Sequence, residues 1–227
     1  MTENQAVQQK SVRRNRVAAA ACVAAALIAV SIVGTRSATA DGAAPSTAVA
    51  AQPAAVAAPA TGLGSAALVQ SEDQVQQGLN PVGATVALTG RQGLSACSGE
   101  ETMRDLTKGR ATAYASVTWT FATDGLLIES AASAPTGASA ATWEQQLVAL
   151  VQSCQNEPAG HWYYGAAHTL TAAGGTAHWY RSYNGDGAAS GGVAVLRSGT
   201  RVALVELTGP AASVEAITTA ALKRLAS

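Results

Sequence analysis

The sequence predicts an α+β domain: a single antiparallel β-sheet with two or three helices packed on one face, and one disulfide. Three observations carry that reading. Six short segments after residue 112 have the composition or alternation of strands. Short, glycine-bearing links join neighbouring strands, and two longer segments repeat their apolar residues at the helical period.

The elements follow in chain order. A short helix is expected over Ser65 to Gln77. In Ala113 to Phe121 the apolar residues Ala113, Ala115, Val117, Trp119 and Phe121 alternate with Tyr114, Ser116, Thr118 and Thr120, which is a half-buried strand. Thr123-Asp124-Gly125 turns the chain into Leu126 to Ala131, completing a hairpin. Trp143, Leu147, Leu150, Val151 and Cys154 then lie along one face of a helix, with Ser139 or Thr142 as its cap and Thr142-x-x-Gln145 fitting a capping box. His161 to Thr171 and Thr176 to Tyr183 form a second hairpin across Ala172 to Gly175. Val193 to Arg197 and Thr200 to Leu207 form a third around Ser198-Gly199. The last helix begins near Thr208-Gly209-Pro210, lines up Val214, Ile217, Ala221, Leu222 and Leu225, and ends with Lys223 and Arg224 complementing its dipole. Hairpin links make the strands antiparallel, and the apolar helix stripes must be buried against the sheet.

The first forty residues have a different physical character. Arg13-Arg14-Asn15-Arg16 precedes an uncharged run from Val17 to Gly34, and Ser37-Ala38-Thr39-Ala40 follows. That order is a secretory signal, with cleavage after Ala40, or an uncleaved signal anchor, since eighteen apolar residues can span a hydrocarbon core. The arginine pair lacks a following Phe-Leu-Lys, which favours general over twin-arginine export, and Cys22 sits too early in the run for a lipidated cysteine. Residues 41–62 form a linker: from Asp41 to Thr61 there are ten alanines and three prolines in twenty-one positions, too poor in core-forming side chains to fold. The folded domain is residues 63–227, placed at the cell surface or secreted.

Charge narrows the partners. The whole chain balances fourteen basic against fourteen acidic residues, but from Asp41 onward the count is nine against thirteen, net −4. Such a domain has no basic field for nucleic acid. Beyond the export segment two cysteines remain, Cys97 and Cys154, and in an oxidising compartment the default is a disulfide. It would close a loop of about 58 residues and stabilise by roughly 4 kcal/mol in the chain-entropy account. The competing reading, a reactive or metal-binding thiol pair, lacks both a C-x-x-C spacing and a nearby histidine.

Catalytic signatures are absent: there is no G-x-S-x-G, no phosphate-binding G-x-x-x-x-G-K-[ST] and no H-E-x-x-H. His161 and His168 are an odd number apart and would face opposite sides of a strand, against a shared metal site. Asp124, Glu129 and Glu206 show no spacing that pairs an acid with a base and are expected at solvated or edge positions. No enzyme activity, cofactor or metal is therefore expected.

The aromatic residues are distributed unevenly. Six of the ten lie between residues 162 and 183. Trp162 and Tyr164 share one strand face, as do Trp179, Arg181 and Tyr183, and the register decides whether the two sets meet. If they meet, they form a cleft for a small organic, carbohydrate-like or peptide ligand. If they do not, one set is core and the other a row of cross-strand pairs.

The order of these features resembles the actinobacterial extracellular sensor-domain family, which includes the sensor domains of PknH-type serine/threonine kinases and related lipoproteins. The resemblance runs over residues 63–227. It rests on the Ala/Pro stalk, the helix Ala66-Ala67-Leu68-Val69-Gln70-Ser71-Glu72-Asp73, Cys97, the helix ending in Cys154, and Gly191 to Val202 before a final helix. It implies one antiparallel sheet with packed helices, a cleft for an extracellular ligand, and a bridge between Cys97 and Cys154. The kinase sensors carry a second bridge for which this chain has no cysteines. Only sixteen residues precede the apolar segment, too few for a kinase. The expectation is a non-catalytic domain binding an extracellular small ligand or a membrane partner protein. The alternatives are a secreted enzyme of unrecognised type and a wall-associated structural protein.

Overall fold

A computed structural model describes residues 62–94, 101–123, 125–209 and 213–227. The export segment, nearly all of the linker, Cys97 and Asp124 lie outside them. Among the described residues no helix is long and apolar enough to cross a membrane.

Seven strands form one sheet: β1 Pro81–Ala87, β2 Ala113–Phe121, β3 Leu126–Ser133, β4 Tyr163–Ala172, β5 Gly175–Tyr183, β6 Ala189–Ser198 and β7 Arg201–Thr208. Their spatial order is β1-β2-β3-β7-β6-β5-β4, and every neighbouring pair is antiparallel. Three hairpins were legible, and β3 joins the two halves by pairing with β7, Glu129 opposite Val205. The helices are α1 Ser71–Val75, α2 Met103–Leu106, α3 Gly137–Gln152 and α4 Ser213–Ala226, with a short 3-10 turn at Ser65–Ala67.

The helices do not share one face of the sheet, contrary to the sequence expectation. The α4 stripe Val214, Ile217, Ala221, Leu222 and Leu225 packs with Ala177, Ala194, Leu196, Ala203, Val205 and Leu207. The α3 stripe Ala140, Trp143, Leu147 and Val151 packs with Tyr180, Val193, Val195, Val202 and Leu204. The strand residues of the two sets alternate along β6 and β7, so the sheet is sandwiched. The physical reason is visible in Val193-Ala194-Val195-Leu196, all under about a hundredth exposed. An unbroken apolar run in a strand fills two cores, whereas alternation fills one. On the α4 side, Leu63, Ala67, Leu68 and Val69 extend the cover toward β2 and β3, while on the α3 side Leu94, Met103 and Leu106 do so around Tyr114 and Ala132.

Local chemistry sets the boundaries. Thr136, not Ser139 or Thr142, caps α3, accepting the Ser139 N–H at 3.1 Å, and Thr142 instead donates to the Ala138 carbonyl within the helix. Cys154 lies two residues past α3 and is buried. Gly192 and Gly175 let α4 approach closely: a Cβ at Gly192 would overlap the Tyr180 carbonyl and Val214, and one at Gly175 would overlap Leu222. The Arg197 Nε donates to Glu144 Oε2 at 2.6 Å while the Thr176 hydroxyl donates to Oε1 at 3.2 Å, tying α3 to β5 and β6. Arg224 forks onto Asp73 at 3.0 and 3.2 Å and reaches Glu72 at 2.7 Å, tying α4 to α1. The strand β1 and helix α2 escaped the sequence reading. In β1, Pro81, Gly83 and an exposed edge position leave no alternation, and four residues are too few to establish a helical period for α2.

Glu129 is completely buried, against the expectation of a solvated position. On the α4 face, its Oε2 accepts the Val69 N–H at 2.6 Å and its Oε1 has no hydrogen-bond partner. Burial, reinforced by the nearby Asp73 charge against the opposing Val69 hydrogen bond, raises its carboxyl from 4.5 to about 8. The folded protein therefore holds a proton that the unfolded chain releases above about 4.5. Its contribution to stability is complete below that value and is lost as pH rises through about 8. Across that window the slope is at most about 1.4 kcal/mol per pH unit. Glu129→Gln should flatten this part of the stability curve, as measured by urea unfolding at a series of pH values. Equal slopes in the two proteins would refute the assignment.

Candidate functional site

The register separates the two aromatic sets. Tyr163, not Trp162, pairs with Tyr183, and Tyr164 pairs with Ser182. Trp162 and Tyr164 consequently belong to the α3 face, with ring centroids 4.5 Å apart in an edge contact, while Trp179 is part of the α4-side core. A bulge between Tyr164 and Ala167 then shifts the alternation of β4, bringing His168 to the same face as Trp179. Their rings stack at 4.1 Å, and Tyr163 stacks on Tyr183 at 5.3 Å. The five residues singled out by sequence therefore do not form one cleft.

On the α4 side, Arg181 is exposed, its guanidinium carbon 6.0 Å from the Trp179 ring centroid. It has no carboxylate partner among the described residues. Trp179 itself is 6 % exposed, so it anchors this row from beneath.

The α3 side holds the less ordinary arrangement. Tyr164 is 1 % exposed and its hydroxyl, buried, has no hydrogen-bond partner. The carboxyl of Glu206 lies close enough to raise the Tyr164 phenol further above its usual range, beyond what burial already does. Burial raises Glu206 from 4.5 to about 7, so near neutrality it is poised between acceptor and donor. Tyr180 is buried on the same face, and the Ser182 and Ser190 hydroxyls pair at 3.2 Å at its rim. A buried phenol with an unfilled hydrogen-bonding capacity is costly unless something satisfies it, and the half-buried Glu206 carboxyl lies within electrostatic reach of it. The arrangement places one potential donor and one titratable carboxyl on the α3 face.

Sequence reasoning had named Glu206 but placed it at a solvated or edge position. The missed signal is its setting in Val202-Ala203-Leu204-Val205-Glu206-Leu207, where a single acid interrupts a strand otherwise buried on both faces. Glu129 and Glu206 face opposite sides of the sheet, so they do not form an acid and base pair. His161 sits outside the strands, 3.6 Å from Glu157, and His168 and His178 point to opposite faces. Among the described residues no group of histidine, cysteine and acidic side chains is placed to hold a metal.

The fold and these side chains define an α+β domain: one seven-stranded antiparallel sheet between two helical layers, with the buried Glu129 on one face and the half-buried Glu206 on the other. No protein-family profile matches the chain, and no curated protein does. Among solved structures it is similar to the extracellular domain of PknH from Mycobacterium tuberculosis, at 14 % sequence identity and a TM-score of 0.48. The similarity covers 71 % of this chain and 93 % of that one. At that level it adds nothing to what the sheet order and packing already define.

The unfilled hydroxyl has a measurable consequence in the ligand-free protein. Tyr164→Phe keeps the edge contact with Trp162 and removes the orphan, so thermal stability should be unchanged or higher by about 1 kcal/mol. A loss of that size or more in calorimetry would mean that the hydroxyl is satisfied internally.

Proposed function

We propose that the chain is an exported, non-catalytic, sensor-like domain that binds an extracellular small polar ligand on the α3 face. Tyr164 donates to the ligand, Glu206 accepts from or donates to it, and Trp162 walls the site. The observation that carries this reading is the Tyr164 hydroxyl, buried without a partner and within electrostatic reach of the half-buried Glu206 carboxyl. The signal segment and stalk support export, and the separation of Glu129 from Glu206 supports binding without acid and base chemistry. Thermal-shift screening with small hydroxyl-, amino- and amide-bearing molecules should yield stabilising ligands. Their affinity should fall about tenfold or more in Glu206→Gln and Tyr164→Phe, from loss of one charge-assisted or buried hydrogen bond. Absence of any ligand with that dependence would overturn the reading.

A second surface is favoured by one observation: Arg181 is exposed without a carboxylate partner, in a row with Tyr183 and Trp179. This row suits an acidic group on a partner protein, and the Arg181→Ala variant would lose that partner while retaining small ligands.

We also propose that Cys154 is bridged to Cys97, pinning the end of α3 to the segment between β1 and α2. Cys154 is buried in the α3-side core, where such a bridge would be sheltered. Intact-mass analysis of the exported protein, alkylated without reductant, should show neither of these thiols modified. Alkylation of both under native oxidising conditions would refute the bridge.

A further inference from the structure

The domain carries more acid than base, yet its largest concentration of uncompensated positive charge lies in one place. Arg91, Arg104 and Lys108 line an open surface pocket of about 680 Å³, together with Thr102, Asp105 and Gly109. All three cations are exposed, and among the described residues none has a carboxylate within ion-pair distance. One acid also lines the pocket, leaving the three cations in net excess: Asp105 Oδ2 accepts the Thr102 hydroxyl at 2.6 Å and the Thr102 N–H at 3.2 Å, closing the cap of α2.

One of the cations, Arg104, is positioned by its neighbours. The Arg104 N–H donates to the Gly90 carbonyl at 2.9 Å, and its guanidinium carbon lies 5.9 Å from the Tyr114 ring centroid. That ring is fixed in turn by a 2.8 Å hydrogen bond between its hydroxyl and Thr107. A guanidinium resting on an aromatic ring leaves its N–H edge directed outward, the pose that recognises paired oxygens. Lys108 occupies a left-handed backbone conformation, φ 52°, immediately before Gly109 at φ 67°. Glycine would be the less strained residue at that position, so the lysine side chain is present at a conformational cost.

We propose that this pocket binds a phosphate-bearing ligand, with Arg104 gripping two oxygens, and Lys108 and Arg91 supplying the remaining charge. It is separate from the Tyr164 and Glu206 site and does not rest on the function proposed for it. Singly charged or neutral molecules would gain little from three clustered cations, whereas a phosphate monoester or diester presents several oxygens at once.

The test uses inorganic phosphate and glycerol 3-phosphate in solution, and phosphatidylcholine vesicles with and without phosphatidylglycerol, against the wild type, Arg104→Gln and Lys108→Gly. Backbone amide resonances of residues 104–109 should shift saturably with the soluble phosphates, and the affinity should fall with added salt. Arg104→Gln should weaken binding about tenfold or more. Lys108→Gly is the sharper variant: relief of backbone strain should raise Tm by about 2 to 4 °C while phosphate binding weakens. Binding confined to phosphatidylglycerol vesicles, and lost in the same two variants, would assign the phosphate to a lipid headgroup. No saturable binding to either source, or binding unchanged in both variants, would overturn the proposal.

Discussion

The constraint on which the structure depends is that β6 and β7 are buried on both sides. Each strand has to supply apolar side chains to two cores at once, alternately, with Glu206 the one interruption in the run from Val202 to Leu207. With a period of two, any slip of register in these strands would exchange the contents of the two cores. The register is accordingly fixed by several independent devices: the turn at Gly199 with φ 56°, the close approach of α4 at Gly192, and the bridge from Glu144 to Arg197. A buried ion pair of this kind adds little net stability, but it gives α3 one docking position on the strands.

From those two strands the rest of the fold loosens outward. Toward β1 and β4 the cover thins, and the four most exposed large apolar residues, Val75, Val82, Val86 and Leu88, lie on or beside the β1 edge. The polar exceptions lie where the helical cover changes hands. Glu129 sits under the N-terminal segment as it crosses the sheet and supplies an acceptor to Val69, whose own carbonyl accepts the Trp119 indole N–H at 3.1 Å. Glu206 occupies the α3 side. A carboxyl is thus stationed on each face of the sheet, on the central strand β7 and on its neighbour β3.

Much of the architecture was legible in the amino-acid order. The boundaries of β2 match the run from Ala113 to Phe121, although Tyr114 and Ser116, read as the polar side of a half-buried strand, are buried, and the face of α4 follows the spacing of Val214, Ile217, Ala221, Leu222 and Leu225. The two-sided packing was misread because the amphipathic helices were assigned a common face, although Val193 to Leu196 already lacked the polar residues that a solvated face requires. The candidate site was less legible. That Trp162 shares a face with Tyr164, and Trp179 with Arg181 and Tyr183, follows from strand periodicity. Their distribution onto opposite faces depends on cross-strand register, which no single strand encodes. The partial burial of Glu206 depends on β7 being central, a property of strand order. Arg91, Arg104 and Lys108 gave no signal at all, because they are brought together by a four-residue helix and a left-handed lysine.

The bulge in β4 bears on how such a domain changes its surface. One extra residue, inserted near Gly165 in a strand with only one neighbour, reverses which side chains point to which layer from there to the hairpin. The central strands could not accept that insertion without emptying one core into the other. At the rim it disturbs a single ladder. Lengthening or shortening the chain there is therefore a route by which related sequences can redistribute aromatic residues between the two faces of the sheet while leaving its interior untouched.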